Sequence, residues 1–118
     1  MTYVDGFVIP IKGDGLETYR QIAEKACKVW MEHGALDYKE CVIDDDHIKG
    51  MRPFAETAGA QAGETVIFAY IVYQSRAHRD EVNAKVMADP RLKEEEFEAM
   101  PFDCKRMAYG GFKTIVEA

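Results

Sequence analysis

The polar residue with the most unusual neighbours is Asp5, which alternates with large apolar residues near the start of the chain. In the segment YVDGF its carboxyl group lies on the same side of an extended chain as the rings of Tyr3 and Phe7. A carboxylate facing an apolar cavity can act as a general base or bind a polar group of a ligand. The alternative is that Asp5 simply accepts hydrogen bonds near its strand end. Asp5 is therefore the candidate catalytic residue, and Tyr3 and Phe7 are candidate ligand-lining residues.

Tyrosines in β-forming segments provide the other hydroxyl groups that a ligand could use. They are Tyr70 and Tyr73 in the most apolar run of the chain, and Tyr109 near its end. The alternative is that each ring packs in the sheet with one satisfied hydroxyl, which is the commoner role of tyrosine in a strand. We take Tyr70 and Tyr109 as candidate ligand-lining residues beside Asp5.

The residue types that bind metals are scattered. His33, His47 and His78 have no Cys, His or carboxylate partner at a recognisable metal spacing. The acidic run before His47 could touch a cation, but a solvated loop is the simpler interpretation. We expect no metal and no cofactor.

The cysteines are odd in number, lack a C-x-x-C pair and are expected to be reduced; they are Cys27, Cys41 and Cys104.

Charge and motifs argue against several classes of function. The net charge is −6 and no basic run appears, so binding to nucleic acid is unlikely. Phosphate-cradling and nucleophile-elbow motifs are absent from the sequence. No segment approaches the ~20 apolar residues of a membrane helix, and the first residues do not have the pattern of a signal peptide. We expect a cytoplasmic protein without a membrane partner.

Hydrophobic periodicity predicts the elements that position these side chains. Alternating β-formers predict strands at 3–11, 36–43, 65–73 and 107–117. Apolar residues at spacings of three and four predict a helix from Leu16 that stops at Gly34. Ser75 is a predicted N-cap for a second helix reaching about residue 88. Residues 91–99 form a short acidic helical piece in this scheme.

The order of these elements is β-α-β followed by β-α-β, with a long connection at residues 44–63 that has little predicted order. Such a connection is functional or mobile. Two β-α-β halves with both helices on one face predict an α+β, ferredoxin-like βαββαβ fold with a four-stranded antiparallel sheet. We expect residues 1–118 to form one domain.

Three segments resemble a known family. They are YVDGFVIP at 3–10, NAKVMADPR at 83–91, and MPFD at 100–103 with KRMAYGGF at 105–112. Together they are similar to the YbaA-like family of bacterial proteins, a domain of unknown function. The resemblance implies a dimeric α/β barrel, in which the sheets of two copies pack face to face. It transfers no catalytic residue, because none is assigned in that family.

The first strand also bears on how two copies would meet. We assign its smaller residues to the helix side of the sheet, namely Val4, Gly6 and Val8. The larger set then lies on the side away from the helices, namely Tyr3, Asp5, Phe7 and Ile9. A sheet face this apolar must be covered, and a second copy would cover it. This assignment predicts a homodimer through the sheet faces, with a cavity at their seam.

Two functions remain open. The first is a homodimeric binding or accessory protein that holds a small apolar or aromatic molecule in the seam. The second is a cofactor-independent enzyme, of the monooxygenase or isomerase type, acting on a small aromatic or quinone-like substrate. It would use Asp5 and a tyrosine, with Arg52 or Arg106 within reach. Haem-degrading dimeric α/β barrels resemble one another in an Asn, a Trp and a His. This chain matches neither the Asn nor the Trp, and only His78 is near the place of the His.

Overall fold

A computed structural model describes residues 1–92 and 100–118 of the chain. Four strands form an antiparallel sheet in the order β2-β3-β1-β4. The strands are β1 (Tyr3–Lys12), β2 (Asp37–Val42), β3 (Glu64–Tyr73) and β4 (Ala108–Lys113). The helices are α1 (Leu16–Glu32), α2 (Phe54–Ala58) and α3 (Arg76–Met87). This arrangement confirms the predicted ferredoxin-like α+β fold.

The element bounds differ from the prediction by more than one residue in two places. Residues 44–63 contain the short helix α2, which begins after Pro53 and ends at Gly59 in the left-handed conformation. The last strand ends at Lys113, so the predicted extension to residue 117 is wrong. Of the predicted acidic helical piece, residues 93–99 lie outside the described residues.

Local signals place the ends of the two long helices. On α1 the residues Tyr19, Ala23, Ala26 and Trp30 are buried at helical spacing. The chain leaves this helix through Gly34, whose φ of 113° would strain any side chain. The predicted cap of α3 is confirmed, because the Ser75 hydroxyl accepts a hydrogen bond from the backbone N–H of His78 at 3.1 Å.

The predicted assignment of the two sides of β1 is wrong. Its larger residues pack beneath the helices, where Ile9 and Ile11 share a buried cluster with Tyr19 and Ala23 of α1. The smaller residues face the other side of the sheet, away from α1 and α3. The physical reason is volume, because the space between helices and sheet needs large side chains to fill it.

Two glycines allow side chains to cross neighbouring strands. A Cβ at Gly6 would lie 3.1 Å from Cε1 of Phe112, whose ring lies over β1 on the side away from the long helices. A Cβ at Gly111 would overlap the hydroxyl of Tyr3, which crosses β4 on the helix side. Each ring therefore needs a strand position without a side chain.

The sheet side away from α1 and α3, which we call the open face, carries several aromatic rings. Phe68 is 47% exposed and Phe112 is 61% exposed. Helix α2 lies at one end of this face, where the ring centroids of Phe54 and Phe68 are 6.2 Å apart. Tyr70 extends the row beyond Phe68, with their ring centroids 6.4 Å apart. A broad apolar surface thus remains next to α2.

Candidate functional site

A cavity of about 310 Å³ lies between the helix side of the sheet and the helices α1 and α3. Most of its wall is apolar, and polar groups stand at separate places along it. Of the predicted site residues, Asp5, Phe7 and Tyr109 line this cavity. The apolar part of the wall comes from both layers and includes Ile9, Ala23, Ala26, Ala69, Ile71, Met100, Phe102 and Met107.

The other two predicted residues, Tyr3 and Tyr70, do not line this cavity. Tyr3 lies on the helix side beside Arg79, whose guanidinium carbon is 5.1 Å from the centre of the Tyr3 ring. Tyr70 lies on the open face, because its cross-strand partner in the register of β1 is Gly6. The predicted set of five residues therefore does not form one site.

Asp5 stands at one end of the cavity and is 1% exposed. Its Oδ1 atom accepts a hydrogen bond from Nη1 of Arg79 at 2.8 Å. Its Oδ2 atom accepts a hydrogen bond from the Tyr109 hydroxyl at 3.1 Å. The negative charge of this buried carboxylate is therefore offset by a cation and a phenol, as burial of a charge requires. We call Asp5, Arg79 and Tyr109 the Asp5 cluster.

The arginine of this cluster comes from α3. Arg79 precedes Val82 and Val86 on the buried stripe of that helix, and its side chain is 13% exposed. Sequence reasoning named Arg52 and Arg106 as the arginines whose presence near Asp5 would favour an enzyme, and it did not consider Arg79. Arg106 binds Glu64 at 2.7 Å instead.

Tyr109 reaches Asp5 from β4. Tyr109 pairs with Phe7 in the register of β1 and β4, and the two rings stack with their centroids 4.8 Å apart. Burial, followed by the nearby charge of Asp5, raises the pKa of the Tyr109 hydroxyl. The phenol therefore stays protonated and donates to the carboxylate.

A second carboxylate, which sequence reasoning missed, lines the same cavity. The Glu40 side chain accepts a hydrogen bond from the Tyr19 hydroxyl at 2.7 Å on Oε2 and from the Tyr38 hydroxyl at 2.9 Å on Oε1. Burial raises the pKa of Glu40, although the two phenols oppose this effect. Burial and the Glu40 charge also raise the pKa values of Tyr19 and Tyr38. We call these three residues the Glu40 cluster.

Sequence signals for both missed residues exist in hindsight. In β2 the segment YKECV alternates Tyr38, Glu40 and Val42 on one side, which is the same pattern that singled out Asp5. On α3, Arg79 stands three residues before Val82 and seven before Val86, at a core-facing spacing. A charged residue at an apolar position is the feature that both share.

The third polar group of the wall is a side-chain network between α1, β3 and α3. The Trp30 indole N–H lies 3.1 Å from both the Tyr73 hydroxyl and Oδ1 of Asn83. The Tyr73 hydroxyl donates to Asn83 at 3.2 Å. These polar atoms satisfy one another, so this part of the wall offers mainly ring surface to a ligand.

The Glu40 cluster also borders a groove of about 500 Å³ that runs along α1 and β2. Tyr19, Ala23, Tyr38 and Glu40 line both the groove and the cavity. The carboxyl group of Glu40 therefore lies where the two spaces adjoin. The Asp5 cluster does not border this groove.

Within residues 1–92 and 100–118, no group of three or more His, Cys, Asp or Glu side chains is arranged to hold a metal ion. The same described residues include no helix that is long and apolar enough to cross a membrane. The cysteines Cys27, Cys41 and Cys104 have free thiols.

Comparison with known proteins identifies the family of this chain. Residues 2–104 match the family described as "Protein of unknown function (DUF1428)". The chain belongs to the DUF1428 family. The match confirms the resemblance found in the sequence. The chain is also similar to the uncharacterised protein YbaA of Escherichia coli K12 and to that of Shigella flexneri, each 44% identical over 117 residues, with 99% of both chains covered.

A solved structure agrees on the fold of this DUF1428 chain. It is the crystal structure of a dimeric ferredoxin-like protein from an uncultured marine organism, with a TM-score of 0.66 and full coverage of both chains. The two sequences are 12% identical, so the likeness establishes the ferredoxin-like fold alone.

Proposed function

We propose that this DUF1428 protein binds a small, partly apolar molecule in the cavity between its sheet and its long helices. The observation that carries the proposal is the composition of the wall, which is apolar and aromatic with two carboxylate clusters. Small-molecule sites have this composition, because apolar surface supplies affinity while a few polar groups orient the ligand. The volume of about 310 Å³ is near the lower end for such sites and suits a one- or two-ring compound.

We further infer that two copies pair through the open face. The exposed rings of Phe68 and Phe112 are large apolar groups on a flat sheet, and burying them against a twin surface removes them from water. The ferredoxin-like structural neighbour is itself dimeric. In such a dimer the cavity lies on the opposite side of the sheet from the seam, so each copy holds its own ligand site.

The ligand proposal is tested by thermal shift and by the fluorescence of Trp30, the single tryptophan, which lines the cavity. Naphthalenemethanol and menadione, a quinone, should each raise the Tm, because a ligand selective for the native state stabilises that state. Menadione should also quench the fluorescence of Trp30. The test variant is Ala69→Leu, which fills the cavity from β3.

The matched control for this test is Ala77→Leu, which adds the same atoms outside the cavity and outside the open face. Ala77 is exposed in the first turn of α3 and does not line the cavity. We expect Ala69→Leu to abolish both responses and Ala77→Leu to keep them. Equal responses in the two variants would place binding elsewhere, and no response in the parent protein would remove the proposal for compounds of this size.

A second candidate function, an isomerase-type enzyme acting on a small aromatic or quinone-like substrate, is favoured by one observation. Glu40 lines the cavity with a pKa that burial raises, and a carboxyl group whose pKa is raised can serve as a general acid or base. Asp5, the base chosen from sequence, is already held by Arg79 and Tyr109. Deuterium exchange into 2-tetralone should be accelerated by the parent protein and not by Glu40→Gln. Exchange that persists in that variant would exclude Glu40 as the base.

A further inference from the structure

We propose that the ligand of this cavity carries a protonated amine, and that this cation pairs with Glu40 at the junction of the cavity and the groove. The inference rests on the proposed ligand-binding function and names the chemical class of the ligand. It concerns the Glu40 cluster, which is Tyr19, Tyr38 and Glu40.

The two carboxylate clusters differ in how their charge is offset. The Asp5 carboxylate faces the guanidinium of Arg79 at 2.8 Å, so its charge is already paired. The hydrogen bonds to Glu40 come from the phenols of Tyr19 and Tyr38, which are neutral donors. A carboxylate inside an apolar wall is far more stable with a cation beside it. Of the two clusters, the Glu40 cluster is the one that a cationic ligand would complete.

Each oxygen of Glu40 keeps a lone pair for a ligand. Oε1 receives one hydrogen bond from Tyr38, and Oε2 receives one from Tyr19. A carboxylate has about four acceptor positions in all. An ammonium group has three donors, so it can bridge both oxygens without displacing either phenol.

The surrounding rings also favour a cation. Trp30 and Tyr38 lie with ring centroids 6.2 Å apart, and Tyr19 and Phe102 lie 5.8 Å apart edge to face. All four residues line the cavity. The faces of aromatic rings carry negative potential and attract ammonium groups, most strongly in sites that exclude water. A carboxylate beside several rings is a recurrent arrangement for binding an amine.

The apolar part of the cavity wall indicates what kind of body the amine is attached to. Ala26, Ile71 and Phe7 present apolar surface between the two carboxylate clusters. An aromatic or alicyclic body attached to the amine would fill this part of the cavity. The ligand class is therefore an aromatic or alicyclic amine of one or two rings.

The test uses three probes that share a body and differ in charge: naphthylmethylamine, naphthalenemethanol and naphthoate. Calorimetric titration of the parent protein at neutral pH should give the amine an affinity about tenfold above that of the alcohol, equivalent to about 1.4 kcal/mol. Naphthoate should bind weakest, because its carboxylate meets Glu40. In Glu40→Gln the amine should lose this preference, while the affinity for the alcohol stays the same.

The matched control is Glu81→Gln, which removes the same charge from the exposed surface of α3. The amine preference should survive there, which separates pairing with Glu40 from a change in net charge. A second readout needs no variant. The affinity for the amine should rise as the pH is raised through the elevated pKa of Glu40, because its carboxyl group then ionises, while the affinity for the alcohol stays level.

The outcomes separate the two proposals. If the alcohol binds as tightly as the amine, or the preference survives Glu40→Gln, the amine inference is wrong and the cavity proposal stands. Tighter alcohol binding at low pH would instead assign Glu40 the role of a protonated donor to a neutral ligand, and would also overturn the inference. If none of the three probes binds the parent protein, the proposed function itself fails.

Discussion

Arg79 and Asp5 lie 74 residues apart in sequence, and their side chains meet with Nη1 2.8 Å from Oδ1 beneath α3. The pair joins the third helix to β1, one of the two central strands. Tyr109 on β4 closes the same cluster with a hydrogen bond of 3.1 Å to Oδ2. One carboxylate thus connects three elements that are distant in the chain.

Asp5→Asn should lower the free energy of unfolding by about 3 kcal/mol, because it removes the buried charge that faces Nη1 of Arg79 and leaves this largely buried cation only the exposed carboxylate of Asp80. Urea unfolding followed by circular dichroism measures this change. Adding Arg79→Met should recover part of the loss, since the poorly compensated cation is then removed. The control is Asp37→Asn, whose ion pair with Lys39 is exposed and contributes less than about 1 kcal/mol. Similar losses in Asp5→Asn and Asp37→Asn would show that Asp5 has no special structural role.

The raised pKa of Glu40 has a consequence for stability against pH. In the folded protein the pKa of this carboxyl group lies above its ordinary value of 4.5, so the group binds its proton more tightly. Its stabilising contribution is therefore complete below pH 4.5 and is lost as pH rises through the higher folded pKa. The Tm of Glu40→Gln should therefore increase relative to the Tm of the parent protein as pH rises. A Tm difference that stays level with pH would contradict the assignment.

Glu64 should behave in the opposite sense. Hydrogen bonds from Arg106, and then from the backbone N–H of Gln61, hold the pKa of Glu64 down at about 2, against an ordinary value of 4.5. The stability that this carboxylate contributes is present above pH 4.5 and is lost as pH falls towards 2. Glu64→Gln should have a lower Tm than the parent at neutral pH, and the difference should close on acidification. A difference that persists at low pH would indicate a packing effect instead.

The proposed dimer predicts a matched pair of results in sedimentation analysis. The parent protein should sediment with twice the mass of the chain. Phe112→Asp should sediment as a single chain, because it places a charge in the apolar seam. Met31→Asp puts the same charge on the outer surface of α1 and should leave the dimer intact. A parent protein that sediments as one chain would remove the dimer proposal and leave the cavity unaffected.

Local patterns predicted the elements because the signals for an element lie within it. The helical spacing from Tyr19 to Trp30 appears in one window of sequence, and so does the alternation of β1. The cap at Ser75 and the positive φ at Gly34 follow from the chemistry of single residues. The order of the elements then leaves few sheet topologies, and the ferredoxin-like one is observed.

The side of the sheet on which the site lies could not be predicted in the same way. Alternation shows that Asp5 and Gly6 lie on opposite sides of β1, but it does not show which side the helices cover. That choice depends on whether large or small residues fill the space under α1 and α3, which is a property of the assembled core. The opposite choice in the sequence analysis moved Asp5 and Phe7 to the wrong side.

The sequence by itself determined the four strands and the two long helices, the family and the presence of a carboxylate among apolar residues. The tertiary structure decided which arginine pairs with Asp5, and it brought Tyr19 of α1 to Glu40 of β2. The physical reason is range. Secondary structure follows from neighbours in the chain, whereas these contacts form only when the helices dock on the sheet and remove water from between them.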